Sequence, residues 1–346
     1  MDIAAFCRQS RVLVIAGKGG VGKTTITAAL ARMAARAGLD VLVVELEGKP
    51  GVSTAFGGSG PLGYAESTLT AGSGPLGIVG DDGLAIAVGG DRDPTVREGT
   101  VHARRITPDD ALLEYLAEHG MGRISKRLVS SGALDVVSTA IPGIRDILVL
   151  GKIKQLEREA DTDLILVDAP ATGHAMTFLS SAQGLLDAAR SGPVRAQAAD
   201  VVELLTDPAR CQVALVTLPE EMPVNEVIEA AYQLEDKVGL TLGPVIVNGC
   251  LSDDPLLAED PAAAAAAVAV TLSADQVHAL TAAAAFRASR FALQVEQRRR
   301  LSEELPLHQI QAPVVFSDSI GPREIEYIAA ALAEAVESIG AGVPLP

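Results

Sequence analysis

The segment GKGGVGKTT, residues 17 to 25, combines glycines with two lysines and two threonines. Its first glycine, four further residues and then Gly-Lys-Thr fit the phosphate-loop pattern G-x-x-x-x-G-K-[ST]. The fit is informative because an apolar run precedes the pattern and a helix-forming run follows it. Glycines let the backbone turn so that successive N–H groups point at phosphate oxygens beside a helix N-terminus. The positions predicted to contact a nucleotide are Gly17, Gly19, Gly20, Val21, Gly22, Lys23, Thr24 and Thr25.

Lys23 and Thr24 have separate predicted roles in this loop. A lysine at this position reaches the β- and γ-phosphates, and the hydroxyl of the following threonine is a ligand for Mg²⁺. A carboxylate is expected at the end of a neighbouring strand, and LILVDAPATGH supplies Asp168 directly after four apolar residues. The sequence therefore predicts a metal site formed by Thr24 and, through water, by Asp168.

Thr172, Gly173 and His174 follow the predicted metal ligand within one short turn. The amide of Gly173 is expected to contact the γ-phosphate, which would make this segment sensitive to hydrolysis. Two interpretations of His174 stay open: a contact with the phosphate or with another subunit, or a hydrogen bond that shapes the segment.

Six short apolar runs, each ending in a turn, alternate with helical patterns along the chain. They are rich in Val, Ile and Leu without strict alternation, which is typical of parallel strands buried on both faces. Helical spacers between them imply right-handed crossovers. The pattern predicts an α/β fold with a doubly wound, mainly parallel sheet that binds ligands at the carboxyl ends of its strands. The runs are RVLVIAG at 11, DVLVVEL at 40, DLILVDAP at 163, QVALVTLP at 212, GPVIVNG at 243 and APVVFSD at 312.

We expect residues 1–346 to form one domain around this sheet. Residues 51–105 are rich in Gly, Ser and Pro and contain the near-repeats GSGPLGY and GSGPLGI, so we expect a flexible excursion outside the sheet. Residues 107–160 are expected to form an inserted helical subdomain, with Thr107 as its first helix cap. Residues 251–305 read as an Ala-rich helical region.

Composition excludes several classes of function. The net charge of −16 disfavours nucleic acid as a partner. The three cysteines have neither the spacing of a zinc site nor that of a disulfide framework. No uncharged apolar run approaches the roughly 20 residues that cross a bilayer, and the first residues do not resemble a signal peptide. We therefore expect a cytoplasmic protein that meets membranes only indirectly.

A second lysine, Lys18, directly follows the first glycine of the phosphate loop. With it, GKGGVGKTT resembles the deviant Walker A motif of the MinD/ArsA/nitrogenase-iron-protein class of P-loop ATPases. The resemblance implies ATP and Mg²⁺ as cofactors and two subunits that face each other across the nucleotide. It also implies that Lys18 reaches the partner's nucleotide and stabilises charge on the transferring phosphoryl group. The alternative is a solvated loop charge.

Within that class, DAPATGHAMTFL is similar to the D-T-A-P-T-G-H-T segment of the ArsA family of arsenite-pump ATPases, which includes the Get/TRC ATPases. The segment IPGIRDIL resembles the P-G-I-D-E helix start of the family, and PVIVNGC resembles its V-V-N strand. The asparagine of that strand reads adenine, so the resemblance implies that Asn248 binds the base. The likeness covers residues 11 to 50 and 107 to 330.

One departure from the family concerns the attacking water. The family's second strand ends in T-D-P-A, whose aspartate orients that water, and VVELEGKPG places Glu47 there. The resemblance thus implies Lys18, Lys23, Glu47 and Asp168 as catalytic residues. Because Glu47 is one methylene longer than aspartate, we predict slow hydrolysis unless a partner subunit supplies a better-placed group. We interpret Glu45 as a solvated charge at the end of a strand.

Three functions are compatible with these residues. The first is an ArsA-like ATPase that binds Mg-ATP at a dimer interface and couples it to subunit closure and a protein cargo of unknown identity. The second is a MinD/ParA-like positioning ATPase, and the third is a nucleotide-gated scaffold with little hydrolysis. The expected subunit partner is a second copy of the chain or an ArsA-like paralogue.

Overall fold

The structure is a computed structural model, and it describes residues 1–46, 51–69, 77–79, 85–87, 97–118 and 143–340. Within these residues eight strands form one sheet, and two short strands form a separate antiparallel pair. The strands of the large sheet are β1 Val12–Gly17, β2 Val41–Glu45, β3 Ser67–Leu69, β6 Val101–Arg105, β7 Leu164–Ala171, β8 Cys211–Thr217, β9 Leu242–Cys250 and β10 Gln309–Pro313. The separate pair is β4 Gly77–Val79 and β5 Ala85–Ala87.

The strand order is β10-β9-β8-β1-β7-β2-β6-β3. All neighbouring strands are parallel except β3, which runs antiparallel to β6. The described helices are α1 Ile3–Cys7, α2 Lys23–Arg36, α3 Gly51–Ala55, α4 Pro108–Glu118, α5 Ile144–Glu159, α6 Thr172–Ala188, α7 Pro193–Thr206, α8 Glu221–Val238, α9 Pro261–Ala267, α10 Ala274–Glu304 and α11 Pro322–Gly340.

Strand β1 shows why helices cover both faces of the sheet. Alternate residues of a strand point to opposite faces. Val12 and Val14 pack on one face with α4 to α8, whereas Ile15 packs on the other with α2 and α11. A central strand without polar residues on either face requires helices on both sides. The predicted doubly wound, mainly parallel α/β fold is confirmed.

The interpretation of residues 51–105 as an excursion outside the sheet is wrong for two segments. Strand β6 pairs along the whole of β2, and β3 extends the same sheet at its edge. Strand β6 reads VHARR, with Val101 and Ala103 buried and the other three residues partly exposed. This alternation is typical of a strand near an edge, so a search for continuous apolar runs misses it. The expected flexibility of the stretch stays a prediction.

The last predicted strand is displaced towards the N-terminus. Strand β10 ends at Pro313, whereas the apolar run that predicted it begins at residue 312. Residues 309 to 311 pair with residues 245 to 247 of β9, and after a register shift Pro313 pairs with Cys250. After Pro313 the apolar run leaves the sheet, and Phe316 is 73% exposed.

Helix boundaries within the predicted helical subdomain follow the local signals. The amide of Asp110 donates to Thr107 Oγ1 at 3.2 Å, which confirms Thr107 as the cap of α4. Helix α5 begins directly after Gly143, whose φ is +78°. The residues between these helices, 119 to 142, lie outside the described part of the chain.

Bilayer crossing needs a long, strongly apolar helix. In the described ranges of the chain, no helix meets both conditions.

Candidate nucleotide site

The predicted phosphate loop connects β1 to α2. Strand β1 ends at Gly17, and α2 begins at Lys23, so the intervening residues form the strand-loop-helix connection that the motif requires. Gly20 has a φ of +88° and Gly22 a φ of +90°. Glycine adopts this left-handed region without the steric cost that a Cβ brings. These two positions therefore need glycine for the turn itself.

Close packing explains two of the loop glycines. A Cβ on Gly17 would lie 2.3 Å from the carbonyl oxygen of Val216 in β8, and a Cβ on Gly22 would lie 2.3 Å from Nδ2 of Asn248 in β9. At Gly19 the same addition meets only the Cβ of Ala171, at an ordinary 3.7 Å. The loop is thus held against the carboxyl ends of two neighbouring strands.

Positive charge is concentrated at the start of α2. Nζ of Lys23 lies over the loop and donates to the carbonyl oxygen of Lys18 at 3.2 Å. The amides of Lys23, Thr24 and Thr25 are in the first turn of α2, where N–H groups have no intrahelical acceptor. A lysine ammonium, the amides of the first helical turn and the positive end of a helix together fit the phosphates of a nucleotide.

Thr24 and Asp168 meet at the mouth of the loop. Oγ1 of Thr24 donates to Oδ2 of Asp168 at 2.6 Å, although the two residues are 144 positions apart. Asp168 is buried near the carboxyl end of β7, directly beside β1. Hydroxyl and carboxylate oxygens are the hard ligands that Mg²⁺ prefers, and two of them suffice when phosphate oxygens and water complete the shell. The residues present therefore fit a magnesium ion.

Glu45 is buried, which corrects its interpretation as a solvated charge. Its side chain is at the end of β2, in register with Asp168 on β7, and Glu45 is only 2% exposed. Neither carboxylate oxygen has a hydrogen-bond partner of standard geometry among the described residues. Burial first, and then the charge of Asp168, raise the pKa of Glu45 to about 7, while the Val52 amide and Arg105 act in the opposite direction. The site thus contains a second carboxyl group that sequence reasoning did not assign.

Helix α6 begins next to the phosphate loop. Ala171 at the end of β7 is in register with Gly17 at the end of β1, so Gly173 lies in the first turn of a helix that begins beside the loop. Gly173 and His174 are exposed. Burial raises the pKa of Asp146 on α5, and the charges of Arg145 and then His174 counteract this rise. Both interpretations of His174 therefore stay open.

Lys18 forms an ion pair within its own chain. Its Nζ lies 2.5 Å from Oε1 of Glu226 on α8, and the two side chains are 40% and 35% exposed. The ammonium that the resemblance places across a subunit interface is thus bound to a carboxylate 208 positions away in the same chain. Sequence offered no signal for this partner, because Glu226 is one of several acidic residues on an amphipathic helix.

Asn248 contacts the phosphate loop directly. Its Nδ2 donates to the carbonyl oxygen of Val21 at 2.9 Å. The structure therefore gathers the predicted loop residues, Asp168, Gly173 and Asn248 at the carboxyl edge of the sheet. Glu47 lies in residues 47–50, outside the described part of the chain, so its role stays a prediction.

Comparison with known proteins gives two family matches along the chain. Residues 12–67 match the family described as the CobQ/CobB/MinD/ParA nucleotide binding domain, and residues 101–190 match the family described as anion-transporting ATPase. The first range contains the phosphate loop, and the second contains Asp168 and Gly173. The two matches thus cover the phosphate loop and the predicted metal ligand, whereas Asn248 lies outside both ranges.

Three curated relatives have names that agree with these families. The chain is 38% identical to ATPase BagA of Mycobacterium tuberculosis over 245 residues, which is 69% of this chain and 64% of that protein. It is 26% identical to the putative arsenical pump-driving ATPase of Halobacterium salinarum, over 71% of this chain and 36% of that protein. It is 26% identical to ATPase GET3C of Arabidopsis thaliana, over 50% of this chain and 41% of that protein. The chain spans less than two thirds of each relative's length.

Proposed function

The chain belongs to the anion-transporting ATPases of the ArsA type, and from this membership we propose that it is an ATP hydrolase that binds Mg-ATP between two facing subunits. Closure of the subunits on ATP, and reopening after hydrolysis, would be coupled to a protein partner or cargo. The observation that carries the proposal is the 2.6 Å contact of Thr24 with Asp168 at the N-terminus of α2.

Each group at the loop has a role in this proposal. Lys23 and the first amides of α2 hold the β- and γ-phosphates, and Asn248 reads the purine base. Thr24 directly and Asp168 through water would hold Mg²⁺, which when bound neutralises phosphate charge. The amide of Gly173 at the start of α6 contacts the γ-phosphate and transmits its loss to the helix. Glu47 orients the attacking water.

Lys18 completes the site of the opposite subunit in the proposed dimer. Its ion pair with Glu226 holds the ammonium within the chain while the subunits are apart. Because both side chains are more than a third exposed, this pair contributes at most about 1 kcal/mol. The phosphates of a partner's nucleotide offer Lys18 more negative charge than one carboxylate does, so exchange of partners favours closure.

Sedimentation velocity tests the dimer with Mg²⁺ and either ADP or a non-hydrolysable ATP analogue. The expected result is a compact dimer with the analogue that Lys18→Ala loses, while Lys237→Ala, an exposed lysine at the end of α8, keeps it. A protein that binds the analogue and stays monomeric would contradict the homodimer. The same measurement with an ArsA-like paralogue then decides whether the partner subunit is a different protein.

Hydrolysis is tested separately through the water-positioning residue. We expect slow release of phosphate by the parent protein and faster release by Glu47→Asp, because the shorter carboxylate restores the family's geometry. Acceleration by an added paralogue would indicate that the partner supplies the better-placed group. If the parent protein does not bind Mg-ATP at all, the whole proposal is refuted.

A further inference from the structure

Helix α10 is a long helix that is exposed along most of its length. Large apolar side chains such as Phe286 and Leu293 lie in solvent, and only Gln294 and Leu301 are buried. Gln294 is 7% exposed. A buried amide is costly unless its donor and its acceptor are both bonded, so the partners of Gln294 indicate what this position is for.

Both the oxygen and the nitrogen of the Gln294 side-chain amide form hydrogen bonds with the same backbone turn. Its Oε1 accepts a hydrogen bond from the amide of Leu251 at 2.8 Å. Its Nε2 donates to the carbonyl oxygen of Gly249 at 3.1 Å. Gly249 has a φ of +73°, so the chain turns sharply where it leaves the central part of β9. One side chain from α10 thus fixes the turn from both sides.

The turn that Gln294 fixes begins at Asn248. Asn248 immediately precedes Gly249, and its Nδ2 bonds to Val21 in the phosphate loop at 2.9 Å. The space around Nδ2 is tight, since a Cβ on Gly22 would approach it to 2.3 Å. A small rotation of the backbone at 248 to 251 would therefore move the Asn248 amide away from the loop. The Gln294 bonds to Gly249 and Leu251, the covalent backbone to residue 248 and the bond from Asn248 to Val21 thus connect α10 to the nucleotide site.

We propose that Gln294 is a positioning residue that sets the base preference of the nucleotide site by holding Asn248 in place. The inference rests on the proposed function, in which Asn248 contacts the purine. An asparagine amide offers a donor and an acceptor, and it distinguishes the amino group of adenine from the carbonyl of guanine only when its orientation is fixed. The phosphates are held by other groups, so they do not depend on Gln294.

Calorimetric titration of the full chain with three probes tests the proposal: Mg-ADP, Mg-GDP and inorganic pyrophosphate with Mg²⁺. Gln294→Glu keeps the acceptor for Leu251 but turns a carboxylate towards the Gly249 carbonyl, and Gln294→Met keeps the volume and loses both bonds. We expect both variants to bind Mg-ADP about tenfold more weakly and to lose most of the preference over Mg-GDP. Pyrophosphate affinity should change less than about twofold, which separates mispositioning from a damaged fold.

Two comparison variants make the outcome decisive. Arg299→Gln alters an exposed side chain on the same helix and should leave all three affinities as they are. Asn248→Ala should abolish the base preference itself. If Asn248→Ala removes the preference and both Gln294 variants retain it, the positioning role is refuted while the proposed function stands. If Asn248→Ala retains the preference, the base contact assigned in the proposed function is wrong, and the role of Gln294 is refuted with it.

Discussion

Lys18 and Glu226 form an ion pair between the phosphate loop and α8, with 2.5 Å between Nζ and Oε1. The pair joins a residue of the loop to a helix that follows the neighbouring strand β8, so α8 lies beside the nucleotide site. A lysine held in this way must leave its carboxylate before it can bind a group on another subunit. In the proposed dimer, the strength of the pair would therefore set part of the free-energy cost of closure.

Glu226→Gln should promote nucleotide-dependent dimerisation. The substitution keeps the shape of the side chain and removes the charge that binds Lys18. Because the pair is partly exposed, it contributes at most about 1 kcal/mol, so the dimer dissociation constant with an ATP analogue should fall by no more than about fivefold. Sedimentation velocity at several protein concentrations measures it. Glu229→Gln removes a charge from the same helix without touching Lys18 and should change nothing; weaker dimerisation of Glu226→Gln would contradict the exchange of partners.

Thr24→Val should remove most of the effect of Mg²⁺ on nucleotide affinity. Valine matches the shape of threonine but loses the hydroxyl that bonds to Asp168 at 2.6 Å. Mg²⁺ increases the affinity for ADP by a certain factor, which titrations with the metal and with a chelator measure. We expect this factor to be at least tenfold smaller in the variant than in the parent. Thr24→Ser retains the hydroxyl and should retain the metal effect. An equal metal effect in Thr24→Val would place the ion elsewhere.

The sequence predicted two parts of the site: the residues that are contiguous in the chain, and those that lie at the ends of predicted strands. The phosphate loop lies within nine residues, and Asp168 and Asn248 come at the ends of apolar runs whose carboxyl edges a parallel sheet brings together. The burial of Glu45 depends on β2 lying directly beside β7, and strand order is not encoded in any local pattern. The hydrogen-bond partners of Glu226 and Gln294 lie 208 and up to 45 positions away, so neither residue stands out on its own helix.

The stability of the metal-free protein should depend on pH through Glu45. Burial and Asp168 raise the pKa of Glu45 from 4.5 to about 7, so between these values the folded chain holds a proton that the unfolded chain has lost. The folded state binds more protons in this window, and its stability therefore falls as pH rises from about 4.5 to 7. Since one pH unit corresponds to about 1.4 kcal/mol, the total is on the order of 3 kcal/mol.

Glu45→Gln removes this titration while keeping the shape of the side chain. Denaturant unfolding with a chelator at pH 5 and at pH 8 should show that the parent loses more stability than the variant as pH rises. The difference in the free energy of unfolding between the two proteins is compared at the two pH values. The contributions of the other titrating groups cancel in this difference. Equal losses in the two proteins would mean that Glu45 is ionised throughout. Glu235→Gln, at an exposed acid on α8, is the matched control and should behave as the parent does.

Gly22→Ala should disrupt the phosphate loop, whereas Gly19→Ala should leave the fold intact. An alanine at position 22 must adopt a φ of +90°, which costs an L-residue about 1–2 kcal/mol, and its Cβ would lie 2.3 Å from Nδ2 of Asn248. At Gly19 the new Cβ has only Ala171 nearby, at 3.7 Å. Denaturant unfolding should therefore show a loss of at least about 1 kcal/mol for Gly22→Ala and less than about 0.5 kcal/mol for Gly19→Ala. Equal stabilities of the two variants would mean that the loop relaxes around the added methyl group, and that glycine at position 22 is not required by the backbone turn.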